Sequence, residues 1–259
     1  MSDYPTPHFS IDLTDQVAFV TGATAGLGRR FATVLARCGA RVALTGRRVE
    51  LLESLAHEIR DAGGECAPIP LDMTQPEAIL EAVEVAERSL GRVDTLVNNA
   101  GIPDAQRAHK MSLELIDRVV DTNLRGPYIL SCEVARRLIE ARQPGRMVNI
   151  SSVGAFTYMG TGAAALYSTT KGGIVRMTEA LSAEWARYHI NVNCIAPGAF
   201  HSEMMDGMIE RVGDISQGYP RKRMGDPAQL DSTLLYLVSP SSDFVTGAVI
   251  RVDDAQGPR

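Results

Sequence analysis

The stretch Val17-Ala-Phe-Val-Thr21-Gly22-Ala-Thr-Ala-Gly26-Leu-Gly28 decides the fold of this 259-residue chain. It predicts a buried strand, a glycine-rich turn and a helix whose apolar period begins at Phe31. Gly22 allows a tight turn, while Gly26 and Gly28 permit close approach of backbone and helix. Because a helix N-terminus presents unpaired N–H groups and partial positive charge, the turn is predicted to bind a pyrophosphate. A tight strand-to-helix turn with no ligand is the alternative.

Short apolar runs alternate with longer amphipathic stretches along the rest of the chain. This pattern predicts an α/β fold, a single Rossmann-type doubly wound domain over residues 1–259 with a mostly parallel seven-stranded sheet and helices on both faces. The predicted strands are Val17–Thr21, Val42–Thr45, Ala67–Pro70, Thr95–Val97, Arg146–Ile150, Asn191–Ile195 and Ala248–Val252. The predicted helices are Leu27–Arg37, Val49–Ala62, Pro76–Ser89, Leu113–Ala141, Leu166–Tyr188 and Ala228–Val238. Gly198 to Gly225 lacks a clean period, so residues 199–223 are predicted to form a substrate lid.

Composition narrows the class of protein. A formal net charge of −5 disfavours polyanion binding, so nucleic acid is not an expected partner. The segment Met1–Gln16 has no long apolar run, which predicts neither a signal peptide nor a membrane span. The four cysteines form no C-x-x-C pair and the five histidines show no ligand spacing. These features predict free thiols, no metal site and a soluble cytoplasmic protein.

The end of the second predicted strand bears on the choice of cofactor. In many dinucleotide-binding folds an acidic residue about twenty positions beyond the glycine turn binds the ribose 2′-hydroxyl of NAD. Here that place reads Gly46-Arg47-Arg48, and a guanidinium can hold a 2′-phosphate instead. We therefore expect NADP(H) to be favoured over NAD(H). The alternative is that both arginines are simply solvated at the start of a helix.

Ser152, Tyr167 and Lys171 have the pattern of a proton-transfer site. A separation of four places Tyr167 and Lys171 on one helix face. Tyrosine has an ordinary pKa of about 10, so it needs a nearby cation to act near neutral pH, and Lys171 can supply one. Ser152 ends the fifth predicted strand, where its hydroxyl can orient a substrate oxygen. Taken alone, the pair could also be an amphipathic tyrosine and a solvated lysine.

Motifs in order from about Leu13 to Asp253 resemble those of the short-chain dehydrogenase/reductase family. The glycine turn has the family's T-G-x-x-x-G-x-G form, Asn98-Asn99-Ala100-Gly101 resembles its N-N-A-G motif, and Tyr167–Lys171 its Y-x-x-x-K motif. The chain resembles single-domain members such as 3-oxoacyl-carrier-protein reductases and gluconate 5-dehydrogenases. The resemblance implies an enzyme that transfers hydride between a nicotinamide and an alcohol or carbonyl substrate.

The same resemblance implies a role for each site residue. Tyr167 would exchange a proton with the substrate oxygen, which Ser152 would stabilise. Lys171 would bind the nicotinamide ribose and lower the tyrosine pKa, while Asn123 would hold a water linking Lys171 to solvent. The implied cofactor contacts are Thr21, Gly22, Thr24, Ala25, Gly26, Leu27, Gly28, Arg47, Arg48, Asp72, Met73, Asn99, Ala100, Gly101, Tyr167, Lys171, Pro197, Gly198, Phe200 and Ser202.

The chain departs from the family pattern at three places. Ser202 replaces a usual threonine but keeps its hydroxyl, and the loop from Ser152 to Tyr167, with Gly154, Gly160 and Gly162, is longer than is common. Val252-Asp253-Asp254-Ala255 stands where V-D-G-G is frequent.

A homo-tetramer or dimer is also implied, with the helices Leu113–Ala141 and Leu166–Tyr188 packing across a two-fold axis. Gly172 and Gly173 inside the second of these helices indicate close packing of another backbone, between subunits or within one.

Lid composition favours an apolar or neutral carbonyl substrate over a small polyanion. Met204, Met205 and Met208 offer adaptable apolar surface among acidic residues, or they merely pack the lid onto the core. Arg221-Lys-Arg223 could attract an anionic group such as a sugar acid or thioester. Two other function classes remain open, a catalytically silent nucleotide-binding regulator and a redox-neutral epimerase or dehydratase.

Overall fold

Seven parallel strands form one sheet in a computed structural model that describes residues 11–158 and 163–257. The strands are β1 (Val17–Thr21), β2 (Arg41–Gly46), β3 (Cys66–Pro70), β4 (Thr95–Asn98), β5 (Gly145–Ile150), β6 (Ile190–Pro197) and β7 (Val249–Val252). Their order across the sheet is β3-β2-β1-β4-β5-β6-β7. The two ends of the predicted domain, and the loop glycines Gly160 and Gly162, lie outside the described residues.

Eight α-helices accompany the strands in the described part of the chain. They are α1 (Gly26–Arg37), α2 (Val49–Asp61), α3 (Pro76–Leu90), α4 (Leu113–Val120), α5 (Gly126–Ala141), α6 (Ala165–Trp185), α7 (Glu203–Val212) and α8 (Asp231–Val238). A π-helical segment, Asp121–Arg125, joins α4 to α5, so the single long helix predicted there has three parts. Within the described ranges, no helix is long and apolar enough to cross a bilayer.

The fold class and every strand predicted from the sequence are confirmed, with strand ends that differ by two residues at most. Helix α7 is the main difference, because the sequence showed no clear period there. Ser202 caps it by accepting a hydrogen bond from the Met205 N–H at 3.2 Å. Met205, Met208 and Ile209 do recur at helical spacing, but α7 has only ten residues and none of the side chains from 203 to 211 is buried. So short an apolar pattern is ambiguous in the sequence alone.

Two apolar layers hold the sheet, one on each face. Helices α1, α2 and α8 cover one face, where Phe31, Leu35 and Leu52 are fully buried. Helices α3, α5 and α6 cover the other, with Ile79 and Leu130 at its centre. Both faces of the strands are therefore apolar, which explains why most of them read as continuous hydrophobic runs.

A buried polar ladder fixes the central strands to the helices on the second face. The Asn98 amide donates to Ser131 Oγ and to Asn149 Oδ1, both at 2.9 Å. Asn149 in turn donates to Thr178 Oγ1 at 2.9 Å. These bonds fix the positions of α5 and α6 relative to β4 and β5.

Strand β1 lies between β2 and β4, so the direction of winding reverses beside it. In open parallel sheets ligands bind in the crevice at this switch point, outside the carboxyl ends of the strands. The glycine turn after β1, the N-N-A-G motif after β4 and Ser152 after β5 all lie at that edge. The topology thus gathers motifs that are far apart in sequence.

Candidate active site

The glycine turn leaves room for a ligand because three positions lack side chains. Gly22 and Gly26 have φ of 69° and 54°, a region that favours glycine. A Cβ at Gly28 would lie 2.2 Å from the Gly22 carbonyl oxygen. Ala25, the N-cap of α1, makes no side-chain capping bond, and Leu27 is partly buried against the core. The turn and the helix N-terminus therefore fit a dinucleotide pyrophosphate.

Thr21 and Asn99 fasten the turn to the loop after β4. The Thr21 hydroxyl oxygen accepts from the backbone N–H of Asn99 at 2.9 Å and of Ala100 at 3.0 Å. The Asn99 amide donates to the Thr21 carbonyl at 2.9 Å. This loop is pressed against the turn, since a Cβ at Gly22 would meet Ala100 Cα at 3.0 Å.

Arg47 and Arg48, the two arginines after β2, are both exposed. Arg48 donates to Thr24 Oγ1 at 3.0 Å and pairs with Glu203 at 3.0 Å, so it lies between the turn and α7.

Further along the sheet edge, Asp72 is half-buried and accepts from the Thr74 N–H and hydroxyl at 3.0 and 2.9 Å, while Met73 is buried.

Ser152, Tyr167 and Lys171 come together at the carboxyl end of β5. The Ser152 side chain lies beside the Tyr167 hydroxyl, and the Ser152 oxygen accepts from the Gly154 N–H at 3.1 Å. Lys171 Nζ lies 5.7 Å from the centre of the Tyr167 ring. Burial raises the pKa of Tyr167 above its usual value, and the neighbouring Ser152 side chain opposes that rise.

Lys171 is nearly inaccessible to solvent, with 4% of its surface exposed. Its ammonium group donates to the Ile150 carbonyl at 2.7 Å. Burial lowers the pKa of Lys171 to about 8, because the charged form loses hydration. The thiol of Cys194, on β6, lies close by, and burial raises its pKa to about 12.

The π-helical segment turns Asn123 inward beside this lysine. Asn123 is 1% exposed and holds the loop after β4, since its Oδ1 accepts from the Ile102 N–H at 2.8 Å and its amide donates to the Ile102 carbonyl at 2.9 Å. A Cβ at Gly101 would lie 3.4 Å from Lys171 Nζ and 3.5 Å from Asn123 Oδ1. Gly101 therefore lies in contact range of both side chains. Single π-turns inside α-helices are frequent at functional sites.

Asp104 is a site residue that the sequence interpretation missed. It is 3% exposed, and its Oδ2 accepts from the backbone N–H groups of Leu166 and Tyr167 at 2.9 and 3.1 Å. Ala164, the N-cap of α6, makes no side-chain cap, so this distant carboxylate caps the catalytic helix. An acid soon after N-N-A-G, together with an uncapped helix start, was the available signal.

On the other side of the crevice the segment after β6 is held by Gln256, also missed in the sequence. Its Oε1 accepts from the Ala199 N–H at 2.6 Å, and a Cβ at Gly198 would lie 2.2 Å from that oxygen. Phe200 is buried against Gly225, and Ser202 Cβ would contact a Cβ at Gly26 at 3.2 Å. Ser202 therefore borders the glycine turn, while Pro197, Gly198 and Phe200 lie at the end of β6 and in the segment that leads to it.

Two other sequence features have contacts within the chain. Arg221 and Arg223 pair with Asp254 at 3.0 and 2.7 Å. A Cβ at Gly173 would lie 3.1 Å from the Leu124 side chain, which accounts for that glycine without a second subunit. The nearest atom to a Cβ at Gly172 is the Ala155 carbonyl oxygen, at 3.9 Å.

Residues 16–212 match the sequence profile of the short chain dehydrogenase family. The chain belongs to this family. It is 34% identical over 239 residues to gluconate 5-dehydrogenase of Gluconobacter oxydans (strain 621H), covering 91% of this chain and 92% of the relative. It is 36% identical over 248 residues to 3-oxoacyl-(acyl-carrier-protein) reductase FabG of Aquifex aeolicus (strain VF5), covering 94% and 98%. The structure of an actinorhodin polyketide ketoreductase variant with NADPH matches with a TM-score of 0.89 at 32% identity, covering 97% and 100%.

As a short-chain dehydrogenase, the chain is an NAD(P)-dependent oxidoreductase that acts at a hydroxyl or carbonyl group. The family and reaction class predicted from the sequence are confirmed. The relatives do not favour a silent regulator or a redox-neutral epimerase or dehydratase.

Replacing Asp104 should destabilise the fold through α6. Asp104→Ala leaves three buried or partly buried N–H groups without their acceptor, those of Leu166, Tyr167 and Ala105. We expect a loss of about 1–3 kcal/mol in the free energy of unfolding, and a smaller loss for Asp104→Asn, which keeps one acceptor oxygen. Urea denaturation measures both. Ser112→Ala, which removes an exposed cap from α4, is the matched control and should cost less. Wild-type stability in Asp104→Ala would contradict the capping role.

Lys171 should make stability depend on pH in a definite direction. Its pKa is about 8 in the folded chain and near 10.5 when unfolded, so the unfolded chain binds more protons between these values. Stability must therefore rise with pH across that window, and the cost of burying the charge is fully present below pH 8. Relative to Lys171→Met, the wild type should gain about 1–2 kcal/mol between about pH 7 and pH 9.5. Urea denaturation of both proteins at the two pH values measures this, and a constant difference would be the opposing result.

Proposed function

We propose that the chain is a dehydrogenase or reductase in which Tyr167 exchanges a proton with the substrate oxygen. The Ser152 side chain beside the Tyr167 hydroxyl, with Lys171 buried one helical turn away, carries this proposal. A substrate oxygen that contacts both hydroxyls would be oriented by Ser152 and protonated by Tyr167 during reduction. In oxidation the proton returns to Tyr167.

A bound nicotinamide dinucleotide supplies or takes up the hydride. The residues present fit this group, since a glycine at position 28 lets the first turn of α1 pack directly on the Gly22 carbonyl, which places the helix N-terminus beside the glycine turn. Lys171 would hold the nicotinamide ribose and offset the rise in the Tyr167 pKa that burial causes. Asn123 would hold the water that relays protons to Lys171.

We infer that NADP(H) is preferred over NAD(H). Support comes from Arg47 and Arg48, which stand after β2 where an acid would favour NAD, and from a related ketoreductase crystallised with NADPH. Arg48 already donates to Thr24 in the glycine turn, so a 2′-phosphate beside that turn would find a guanidinium within reach.

The segment 199–223 would act as a substrate lid within a single dinucleotide-binding and catalytic domain. Met205, Met208 and Ile209 on α7 are half-exposed, and Met204 is 38% exposed. These side chains are therefore not fully packed into the core and are available to contact a substrate. Their exposure favours an apolar or neutral carbonyl substrate. Arg221 and Arg223 are engaged by Asp254, which weakens the case for an anionic substrate at that point.

A homo-tetramer or dimer in the cytoplasm completes the proposal. The outer surfaces of α5 and α6 are the expected contact, and Tyr128 on α5 is 49% exposed.

Tyr167→Phe should lower turnover by about 10²- to 10⁴-fold, because it removes the proton donor. NADPH binding, followed by nicotinamide fluorescence, should stay within about twofold of wild type, because the cradle is unchanged. Two probe substrates suit the assay, gluconate with NADP⁺ and an acetoacetyl thioester with NADPH, which correspond to the named relatives. Wild-type turnover of either probe by the variant would overturn the assignment of Tyr167.

Arg47→Ala and Arg48→Ala should each weaken NADPH binding by about 10- to 100-fold, since each removes a charged contact to the 2′-phosphate. NADH binding should change much less, because NADH has a hydroxyl there. Parallel fluorescence titrations measure both dissociation constants. An equal loss for the two cofactors would refute the 2′-phosphate contact.

A further inference from the structure

Arg48 joins three parts of the molecule that the sequence keeps far apart. Its guanidinium donates to Thr24 Oγ1 at 3.0 and 3.3 Å and to Glu203 Oε1 at 3.1 Å, with a second contact to Glu203 Oε2 at 3.0 Å. Thr24 belongs to the glycine turn and Glu203 is the first residue of α7. The arginine expected to meet a 2′-phosphate therefore already has an anionic partner.

The backbone holds Glu203 in this place. Ser202, the residue before it, caps α7 and lies against the glycine turn, where its Cβ would be 3.2 Å from a Cβ at Gly26. The start of α7 thus rests on the turn whatever the side chain of Glu203 does. Its carboxylate projects from a fixed point next to the cofactor cradle.

The contribution of this ion pair to folding stability is too small to explain its presence. The side chains of Arg48 and Glu203 are 46% and 63% exposed, and pairs this exposed contribute little to folding. An exposed pair of this kind can still control binding, because a carboxylate beside a guanidinium competes with any other anion for the same donors.

We propose that Glu203 is a specificity-determining residue that restrains the preference for NADP(H) by occupying Arg48. This inference rests on the proposed function, in which Arg48 meets the 2′-phosphate. The phosphate and the Glu203 carboxylate draw on the same guanidinium N–H groups, so contact with the phosphate comes at the expense of bonds to Glu203. NADH, with a neutral 2′-hydroxyl, meets no such competition. Arg47 and Arg48 create a difference in affinity between NADPH and NADH. Glu203 therefore reduces that difference.

Glu203→Gln tests this by removing one negative charge with little change of shape. We expect the dissociation constant for NADPH to fall about three- to tenfold, and that for NADH to stay within about twofold. Fluorescence titration of the purified protein with each cofactor measures the ratio directly, without a substrate. Asp206→Asn is the matched control, since it removes a charge from the same first turn of α7 and should leave the ratio unchanged.

The variant Arg48→Ala separates the ion pair from general repulsion. On that background Glu203→Gln should shift the NADPH constant by less than about twofold. An equal gain with and without Arg48, an equal gain for both cofactors, or no gain at all would overturn the role of Glu203. If wild-type protein binds both cofactors and Arg48→Ala affects them equally, the proposed 2′-phosphate contact fails as well. Selective loss of NADPH in Arg48→Ala without any effect of Glu203→Gln would overturn this inference alone.

Discussion

The hydrogen bonds between Thr21 and Asn99 set the width of the crevice on which every other part of the site depends. Thr21 ends β1 and Asn99 follows β4, the two strands between which the winding of the sheet reverses. Four contacts of 2.9–3.4 Å tie the side chains and backbones of this junction together. Because the loops after β1 and β4 leave in opposite directions at a switch point, they would separate without such a tie. These hydrogen bonds hold the glycine turn and the loop after β4, which lies beside Lys171, in fixed relative positions.

Helix α6, which carries Tyr167 and Lys171, is fixed by other elements at several points near its start. Asp104 holds its first turn, and the Ser151 hydroxyl donates to the Lys171 carbonyl at 2.8 Å. The Lys171 ammonium bonds the Ile150 carbonyl, so β5 binds the same residue through both backbone and side chain. Burying this charge opposes folding, which is why the Lys171 pKa is lowered. In the proposed reaction that cost places a cation next to Tyr167, as proton transfer requires.

Local sequence patterns sufficed for the parts of the site that lie within one βα unit. The turn from Gly22 to Gly28 follows from glycine spacing after an apolar run, and the pairing of Tyr167 with Lys171 follows from helical periodicity. The two strand ends that carry Asn99 and Ser152 were likewise placed by their apolar runs. Each prediction needed information from only a few neighbouring residues.

Contacts between distant segments could not be predicted in this way. Asp104 caps a helix about sixty residues further along, and Arg48 meets Glu203 from the opposite side of the turn. The π-helical turn that points Asn123 inward was not predicted from the sequence, because the helical pattern continues on both sides of it. These groups come together only in the folded topology. Sequence motifs can therefore identify the site but not the residues that hold it in place.

The departure of the chain from the family pattern near Asp253 has a physical counterpart where the segment 199–223 begins and ends. Asp254 and Ala255 have φ of 48° and 59°, which costs about 1 kcal/mol or more for each non-glycine residue. Asp254 pairs with Arg223 at 2.7 Å, and the Gln256 amide donates to the Arg223 carbonyl at 3.2 Å while its oxygen binds the Ala199 N–H. Both ends of the segment 199–223 therefore rest on the same few residues. A glycine at 254 would relieve the strain but would bring no carboxylate, so the strain is retained where it fixes the position of the segment 199–223.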